Sequence, residues 1–102
     1  MTLVNEIDKA ANFFPKEEKY VLRTQTIRSA VLMLTNIAEG SAKKSEKDYM
    51  RYAEIALGSA FELETHLLII QQQRWFPSDT VDTLLALTSE EQKMLTTFIT
   101  KL

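Results

Sequence analysis

The sequence predicts an all-α protein, an up-down antiparallel four-helix bundle whose first helix is short. Apolar residues recur at spacings of three and four along most of the chain, which is the period of helices that face a core. Only two glycines and two prolines occur among 102 residues, too few for the many turns of a β-sandwich or barrel. This length corresponds to a single domain over residues 1–102.

The first two helices are predicted on either side of Phe14 and Pro15. An apolar stripe over Leu3–Phe14 predicts a short helix of about three turns. The residue before a proline is disfavoured in the α conformation, so this helix should end at Phe14. Pro15 is suited to the first position of the second helix, which we expect to run to Gly40. Gly40 is expected to end it in the left-handed conformation.

The third helix is predicted from Ser45 to about Gln73. Ser45 is a favourable N-cap, with Asp48 three residues later as a variant of the capping box. Gly58 lies in the helix interior, where it costs about 1 kcal/mol relative to alanine. We therefore expect Gly58 to mark a place where another backbone comes close.

The fourth helix is predicted from Ser78 to the end of the chain. The run Trp75-Phe76-Pro77 breaks the third helix, and Ser78 can cap the next one. An alternative is that a further helix begins at Thr88, since Thr88 and Ser89 precede two glutamates.

The chain has more apolar surface than one small core requires. Between Ala30 and Ala38 the second helix has no clear polar face, and apolar residues cover about half of the third helix, wider than the stripe of about 100° that one core needs. We therefore expect a homo-oligomer, with Asn36 setting register at the contact. The predicted interface residues are Leu32, Met33, Asn36, Met50, Leu57, Phe61 and Leu68.

The residues indicate no enzyme, cofactor or metal site. The sequence contains no cysteine and no glycine-rich phosphate loop. Glu62 and His66 form an i,i+4 pair that offers two metal ligands, but a di-iron bundle needs two Glu-x-x-His motifs. We interpret Glu39, Glu62 and Glu64 as capping or hydrogen-bonding residues, because no nucleophile or oxyanion donor is placed beside them. We expect a protein without catalytic residues.

The basic residues are concentrated in one part of an acidic chain. The net charge is −2, but eight of the twelve basic residues lie between Lys16 and Arg51. Such a cluster is ordinarily a solvated surface, and contact with nucleic-acid phosphates is the functional alternative. The densest cluster is Lys43, Lys44, Lys47 and Arg51. No secretory leader or membrane-spanning segment is recognisable, so we expect a cytoplasmic protein without membrane contact.

Several motifs resemble those of a known family, the four-helix-bundle proteins encoded in intervening sequences of bacterial large-subunit ribosomal RNA. The motifs are Phe14-Pro15-Lys16-Glu17-Glu18, Asn36-Ile37-Ala38-Glu39-Gly40, Lys43-Lys44-Ser45, Ala56-Leu57-Gly58-Ser59 and Glu62-Leu63-Glu64-Thr65. The resemblance implies an up-down bundle assembled as a homopentamer, whose first helix is shortened in this chain. The related accessory variability protein of retroelements binds nucleic acid and a reverse transcriptase through a basic surface.

Two functions follow from the residues and the resemblance together. The first is a non-enzymatic homo-oligomeric scaffold that interacts with itself and with a protein partner. The alternative is a nucleic-acid-binding accessory protein associated with intervening sequences or retroelements. It would bind RNA or DNA weakly and salt-sensitively through the cluster at Lys43, Lys44, Lys47 and Arg51.

Overall fold

The computed structural model describes residues 2–17 and 21–101. Within these ranges the chain forms four α-helices and no β-strand: α1 (Thr2–Ala10), α2 (Val21–Ser41), α3 (Glu46–Gln73) and α4 (Ser78–Lys101). In the bundle, α2 packs on α3, α3 packs on α4, and α1 contacts both α2 and α4. This architecture confirms the predicted all-α four-helix fold. None of the helices in the described ranges is long and apolar enough to cross a membrane.

The connection between α1 and α2 differs from the prediction. A turn of 3-10 helix, Ala11–Phe13, follows α1, and Phe14 is extended with φ −64° and ψ 139°, as expected before a proline. Pro15 does not begin α2, because residues 16 and 17 form a turn; the described part of the helix is Val21–Ser41. The buried Phe14 ring packs on Phe76, so the chain stays extended here. Residues 18–20 lie outside the described ranges.

Gly40 lies inside α2 and does not end it. The helix continues to Ser41, and neither glycine has a positive φ, so the predicted left-handed stop is wrong. A Cβ atom placed on Gly40 would lie 2.9 Å from the Cβ of Tyr52 on α3. Gly40 is therefore the residue that lets α2 and α3 come close together beside their connecting turn.

Gly58 does not mark a close approach within the chain. It is exposed on α3, and a Cβ atom added there would meet no other atom within 4 Å. Within the chain the role expected of Gly58 belongs to Gly40, and an approach of a neighbouring molecule to Gly58 stays a prediction. The position of Gly58 inside α3 could be predicted from the sequence, but the side of each helix that faces a neighbour could not.

Both ends of α3 are capped. The Ser45 hydroxyl accepts a hydrogen bond from the Asp48 backbone N–H at 3.1 Å, which confirms the predicted N-cap. At the other end Arg74 is left-handed, with φ 57° and ψ 36°, and the Trp75 N–H donates to the Ile70 carbonyl at 3.2 Å. This is a Schellman arrangement, here with arginine where glycine is usual.

The fourth helix is continuous, so the alternative of a new helix at Thr88 is wrong. Thr88 is fully buried within α4. Its hydroxyl donates to the Leu84 carbonyl one turn earlier, at 2.8 Å, which satisfies the polar group without interrupting the helix.

The core is built around α3. Its buried residues are Ala53, Ala56, Ala60, Leu63, Leu67 and Ile70. The alanines lie in the half near the α2–α3 turn, where their small side chains let α2 and α4 each pack close to α3. At the opposite end Phe14 contacts Phe76 and Trp75, with ring centroids 4.9 and 6.4 Å apart. These rings join the α1–α2 connection to the α3–α4 connection.

Candidate interaction surfaces

The basic cluster lies at the end of the bundle where α2 turns into α3. Its members are Lys43, Lys44, Lys47 and Arg51; all four are exposed, and none forms a salt bridge with a described residue. The Lys43 ammonium lies 5.1 Å from the centre of the Tyr52 ring, within cation–π range. Glu46 and Asp48 lie in the same segment, so four basic and two acidic residues give it a net charge of +2.

Four of the predicted interface residues form an apolar stripe along α3, called here the α3 stripe: Met50, Leu57, Phe61 and Leu68. Their spacings of seven, four and seven place them on one line of the helix. Phe61 and Leu68 expose 50% and 46% of their surface, and the other two are half-buried. At 1.5 Å per residue the stripe is about 27 Å long. It is an apolar surface that the chain's own helices do not fully cover.

A second apolar surface lies on the other flank of α3, beside α2. This α2–α3 face consists of Leu32, Ile55 and Ile69, which are 38%, 45% and 39% exposed. The Ser29 hydroxyl of α2 donates to Glu62 of α3 at 3.0 Å, which places Leu32 level with the span between Ile55 and Glu62. At 3.6 residues per turn, the α3 members point about 120° away from the α3 stripe. Ile55 and Ile69 were not among the predicted interface residues, because they interrupt the polar side of α3.

The prediction that Met33 lies at an oligomer interface is wrong. Its side chain is fully buried in the chain's own core, because that side of α2 faces the bundle interior, so it cannot contact a neighbouring molecule in this fold. Asn36 is half-buried, and its amide donates to the Leu32 carbonyl at 2.8 Å. This hydrogen bond lies within α2.

The Glu62–His66 pair lies along the contact between α2 and α3. His66 is half-buried, and its Nδ1 atom is buried without a hydrogen bond to any described residue. Burial lowers the pKa of His66, and the Glu62 carboxylate opposes that shift. Glu62 accepts a hydrogen bond from Ser29, so it links the two helices. The described residues contain no group of three or more side chains that could hold a metal ion.

An open cleft separates α2 from α4 in the half of the bundle that α1 does not reach. α1 has nine residues and α2 has 21, corresponding to about 13 and 31 Å. Two adjoining cavities of about 440 and 150 Å³ occupy the cleft, and both are lined by Ile37. The larger one lies beside Leu3 of α1. The smaller one is bounded by Tyr49 on its floor and by Met94 and Phe98 on the α4 side.

Acidic residues line the end of the cleft that is nearest α1. Glu90 and Glu91 of α4 both border the larger cavity. The Oε2 atom of Glu91 is buried and accepts no hydrogen bond from the described residues. Burial raises the pKa of Glu91, and the neighbouring charge of Glu90 raises it further. Glu91 was not among the predicted site residues, because its place beside the cleft depends on which side of α4 faces α2.

The fold and these surfaces define a small helical bundle with two exposed apolar surfaces, a cationic end and an acidic cleft. By sequence, the chain belongs to the family of 23S rRNA-intervening sequence proteins, whose family model matches residues 1–97. This result confirms the resemblance seen in the motifs.

A comparison with solved structures gives the same fold. The chain is similar to a protein of unknown function from the S23 ribosomal protein family of Bacteroides thetaiotaomicron, with a TM-score of 0.87 and 22% sequence identity. The match covers 96% of this chain and 92% of that one. A comparison with curated proteins gives no match.

Proposed function

We propose that this chain is a non-enzymatic scaffold that assembles into a closed ring of identical subunits. The observation that carries this proposal is the pair of exposed apolar surfaces on α3, the α3 stripe and the α2–α3 face. Exposed apolar side chains aligned as in the α3 stripe mark an interaction site on a small protein. The α2–α3 face is a mixed surface, because the exposed Glu62 lies between Ile55 and Ile69. No catalytic step is assigned to the protein.

The two surfaces favour a head-to-tail arrangement of subunits. They point in directions about 120° apart around α3, so one subunit can use both at once on two different neighbours. A contact between two unlike surfaces generates a ring when the rotation between subunits closes. The family resemblance implies five subunits, and a pentamer is therefore the expected assembly.

The free energy of burying the exposed apolar side chains favours a subunit contact that needs several of these residues at once. Full burial of a large apolar side chain contributes about 1.5–3 kcal/mol. Phe61 and Leu68 are about half exposed, so complete burial at a subunit contact would stabilise the assembly by roughly 1 kcal/mol for each side chain. Association itself costs at least about 4 kcal/mol. Replacing one of these residues with a charged one is therefore expected to dissociate the ring.

The experiment measures molar mass by light scattering after size exclusion for the wild type, Leu32→Glu and Phe61→Glu. Leu32→Glu disables the α2–α3 face and Phe61→Glu disables the α3 stripe, so each variant alone is expected to be monomeric. Mixed in equal amounts, the two variants retain one intact surface each and should form a dimer and nothing larger. Ala86→Glu, which adds the same charge at an exposed position of α4, should leave the wild-type mass unchanged. A monomeric wild type at micromolar concentration would refute the proposal.

A second function, binding of nucleic acid, is favoured by the basic cluster at Lys43, Lys44, Lys47 and Arg51. These side chains are exposed without a salt-bridge partner among the described residues. A ring would present the cluster several times, and a long polyanion would gain avidity from the repetition. The acidic net charge of each subunit acts against this binding at long range.

The test is a titration with RNA and DNA duplexes at several salt concentrations. Four phosphate contacts from one subunit predict a slope of log K against log salt of roughly −3.6, and Lys43/Lys44/Lys47→Ala should reduce its magnitude by about 2.7. Lys93/Lys101→Ala removes two exposed lysines of α4 and serves as the control. Equal slopes for the wild type and the triple variant would exclude the cluster as a binding site.

A further inference from the structure

In the cleft between α2 and α4, apolar side chains of two helices face each other across a gap. In the other half of the bundle the same gap is filled by α1, whose Leu3 and Ile7 are buried there. The bundle thus contains its own example of what fits between α2 and α4, which is a helix with an apolar stripe.

The length of the cleft corresponds to a short helix. From Leu87 to Phe98, α4 borders the two cavities over eleven residue steps, or about 16 Å, which is three turns of helix. The smaller cavity is almost entirely apolar, with Ile37 on one side and Phe98 on the other. Met94 lies beside it with 55% of its surface exposed. An apolar side chain entering here would contact side chains from α2, α3 and α4.

The negative charge of the cleft indicates that its ligand also carries a basic side chain. The Glu91 Oε2 atom is buried and unpaired with respect to the described residues, and such an atom gains from a donor. Glu90 adds a second carboxylate to the same cavity wall. A lysine or arginine at this end would make a charge-assisted hydrogen bond, which is stronger than a neutral one.

We propose that the cleft binds a short, basic amphipathic helix of a partner protein. Its apolar side chains pack between Ile37 and Met94, and its lysine or arginine pairs with Glu91. This proposal rests on the proposed scaffold function, because the basic helix is the kind of partner that the scaffold would bind. The cleft lies across the bundle from the exposed side of α3, so assembly and partner binding use different surfaces.

A second copy of this chain is a poor occupant. Its α3 stripe is flanked by Glu54 and Glu64, and its α2–α3 face contains Glu62 between Ile55 and Ile69. Those carboxylates would meet Glu90 and Glu91 in the cleft, and like charges placed together are unfavourable. A ligand helix of the opposite charge avoids this repulsion.

The experiment uses two fluorescent, side-chain-stapled helical peptides of about 14 residues, a length chosen to exceed three turns. Both carry leucine at i, i+4 and i+7. One has lysines beside the leucines and the other has glutamates at the same positions. Binding is measured by anisotropy to the wild type, Met94→Glu, Glu91→Gln and Ala86→Glu. Light scattering of the same samples reports the mass of the assembly, so a failure of the ring and a failure of the cleft are distinguishable.

We expect the lysine peptide to bind the wild type at least tenfold more tightly than the glutamate peptide does. Ala86→Glu adds a carboxylate one turn from Glu90 and should bind the lysine peptide at least as tightly as the wild type. Met94→Glu should weaken the lysine peptide at least tenfold, and Glu91→Gln several-fold. Equal binding of the two peptides, or unchanged binding to Met94→Glu, would overturn the proposal. A change in assembly mass caused by Met94→Glu would assign the cleft to a second copy and would also overturn it.

Discussion

The contact between Gly40 and Tyr52 provides a quantitative test of the helix packing. In Gly40→Ala the new Cβ would lie 2.9 Å from the Cβ of Tyr52, so α2 and α3 must separate slightly. Overpacking of this kind costs about 1–3 kcal/mol. Alanine recovers up to about 1 kcal/mol through its better helix propensity. We therefore expect a net loss of about 1 kcal/mol.

The assay is thermal unfolding followed by circular dichroism at a fixed subunit concentration, since assembly makes Tm depend on concentration. A loss of 1 kcal/mol lowers Tm by about 4–8 °C in a domain of this size. Gly58→Ala is the matched control, because its Cβ meets no atom within 4 Å, and it should raise Tm by a few degrees.

A third variant identifies the obstructing atom. Tyr52→Ala keeps the Cβ of residue 52, so the double variant Gly40→Ala/Tyr52→Ala should not regain the stability lost in Gly40→Ala. A Gly40→Ala protein at least as stable as the wild type would contradict the close packing of α2 on α3 at this position.

Three further predictions concern single side chains. The pKa of His66 is lowered below its ordinary value of 6.5, so the folded state binds fewer protons than the unfolded state. Stability should therefore fall as the pH drops below 6.5. NMR titration of this single histidine checks the direction, and a pKa above 6.5 would contradict it. The pKa of Glu91 is raised above its ordinary value of 4.5, so its burial should cost stability as the pH rises through that range. Glu91→Gln should therefore have a higher urea midpoint than the wild type at pH 7 and an equal one below pH 4, whereas a lower midpoint at pH 7 would contradict the assignment. The left-handed backbone of Arg74 costs roughly 1–2 kcal/mol for a residue with a Cβ atom, and Arg74→Gly removes that cost. Glycine also stabilises the unfolded state through its greater conformational entropy, by up to about 1 kcal/mol. The Tm of the variant should therefore rise by a few degrees, and a fall would show that the arginine side chain stabilises the cap.

The sequence predicted the helices well because their signals are local. The period of apolar residues and the Ser45 cap depend on residues within a few positions of one another, and both are present in the structure. The start of α2 was less predictable. Phe14 is held by contacts with Trp75 and Phe76, which are distant in the sequence, and the turn at residues 16 and 17 follows it.

The interaction surfaces were harder to predict because they depend on which side of a helix faces a neighbour. Leu32 and Met33 are adjacent and both apolar, yet one is 38% exposed and the other is fully buried. The two glycines differ for the same reason. The cleft was not predicted, although the first helix was expected to be short, because its lining depends on which sides of α2 and α4 face each other.

The short α1 also has a consequence for local unfolding. Its nine residues are attached through a small set of buried side chains, and helices of this length are marginal on their own. Its C-terminal end is anchored by the aromatic contacts of Phe14, so α1 should swing outward about that point while the other three helices stay folded. Amide hydrogens of α1 should then exchange with solvent sooner than those in the middle of α3. In that opened state the groove between α2 and α4 runs the full length of the bundle, so a longer partner helix would compete directly with α1 for the same site.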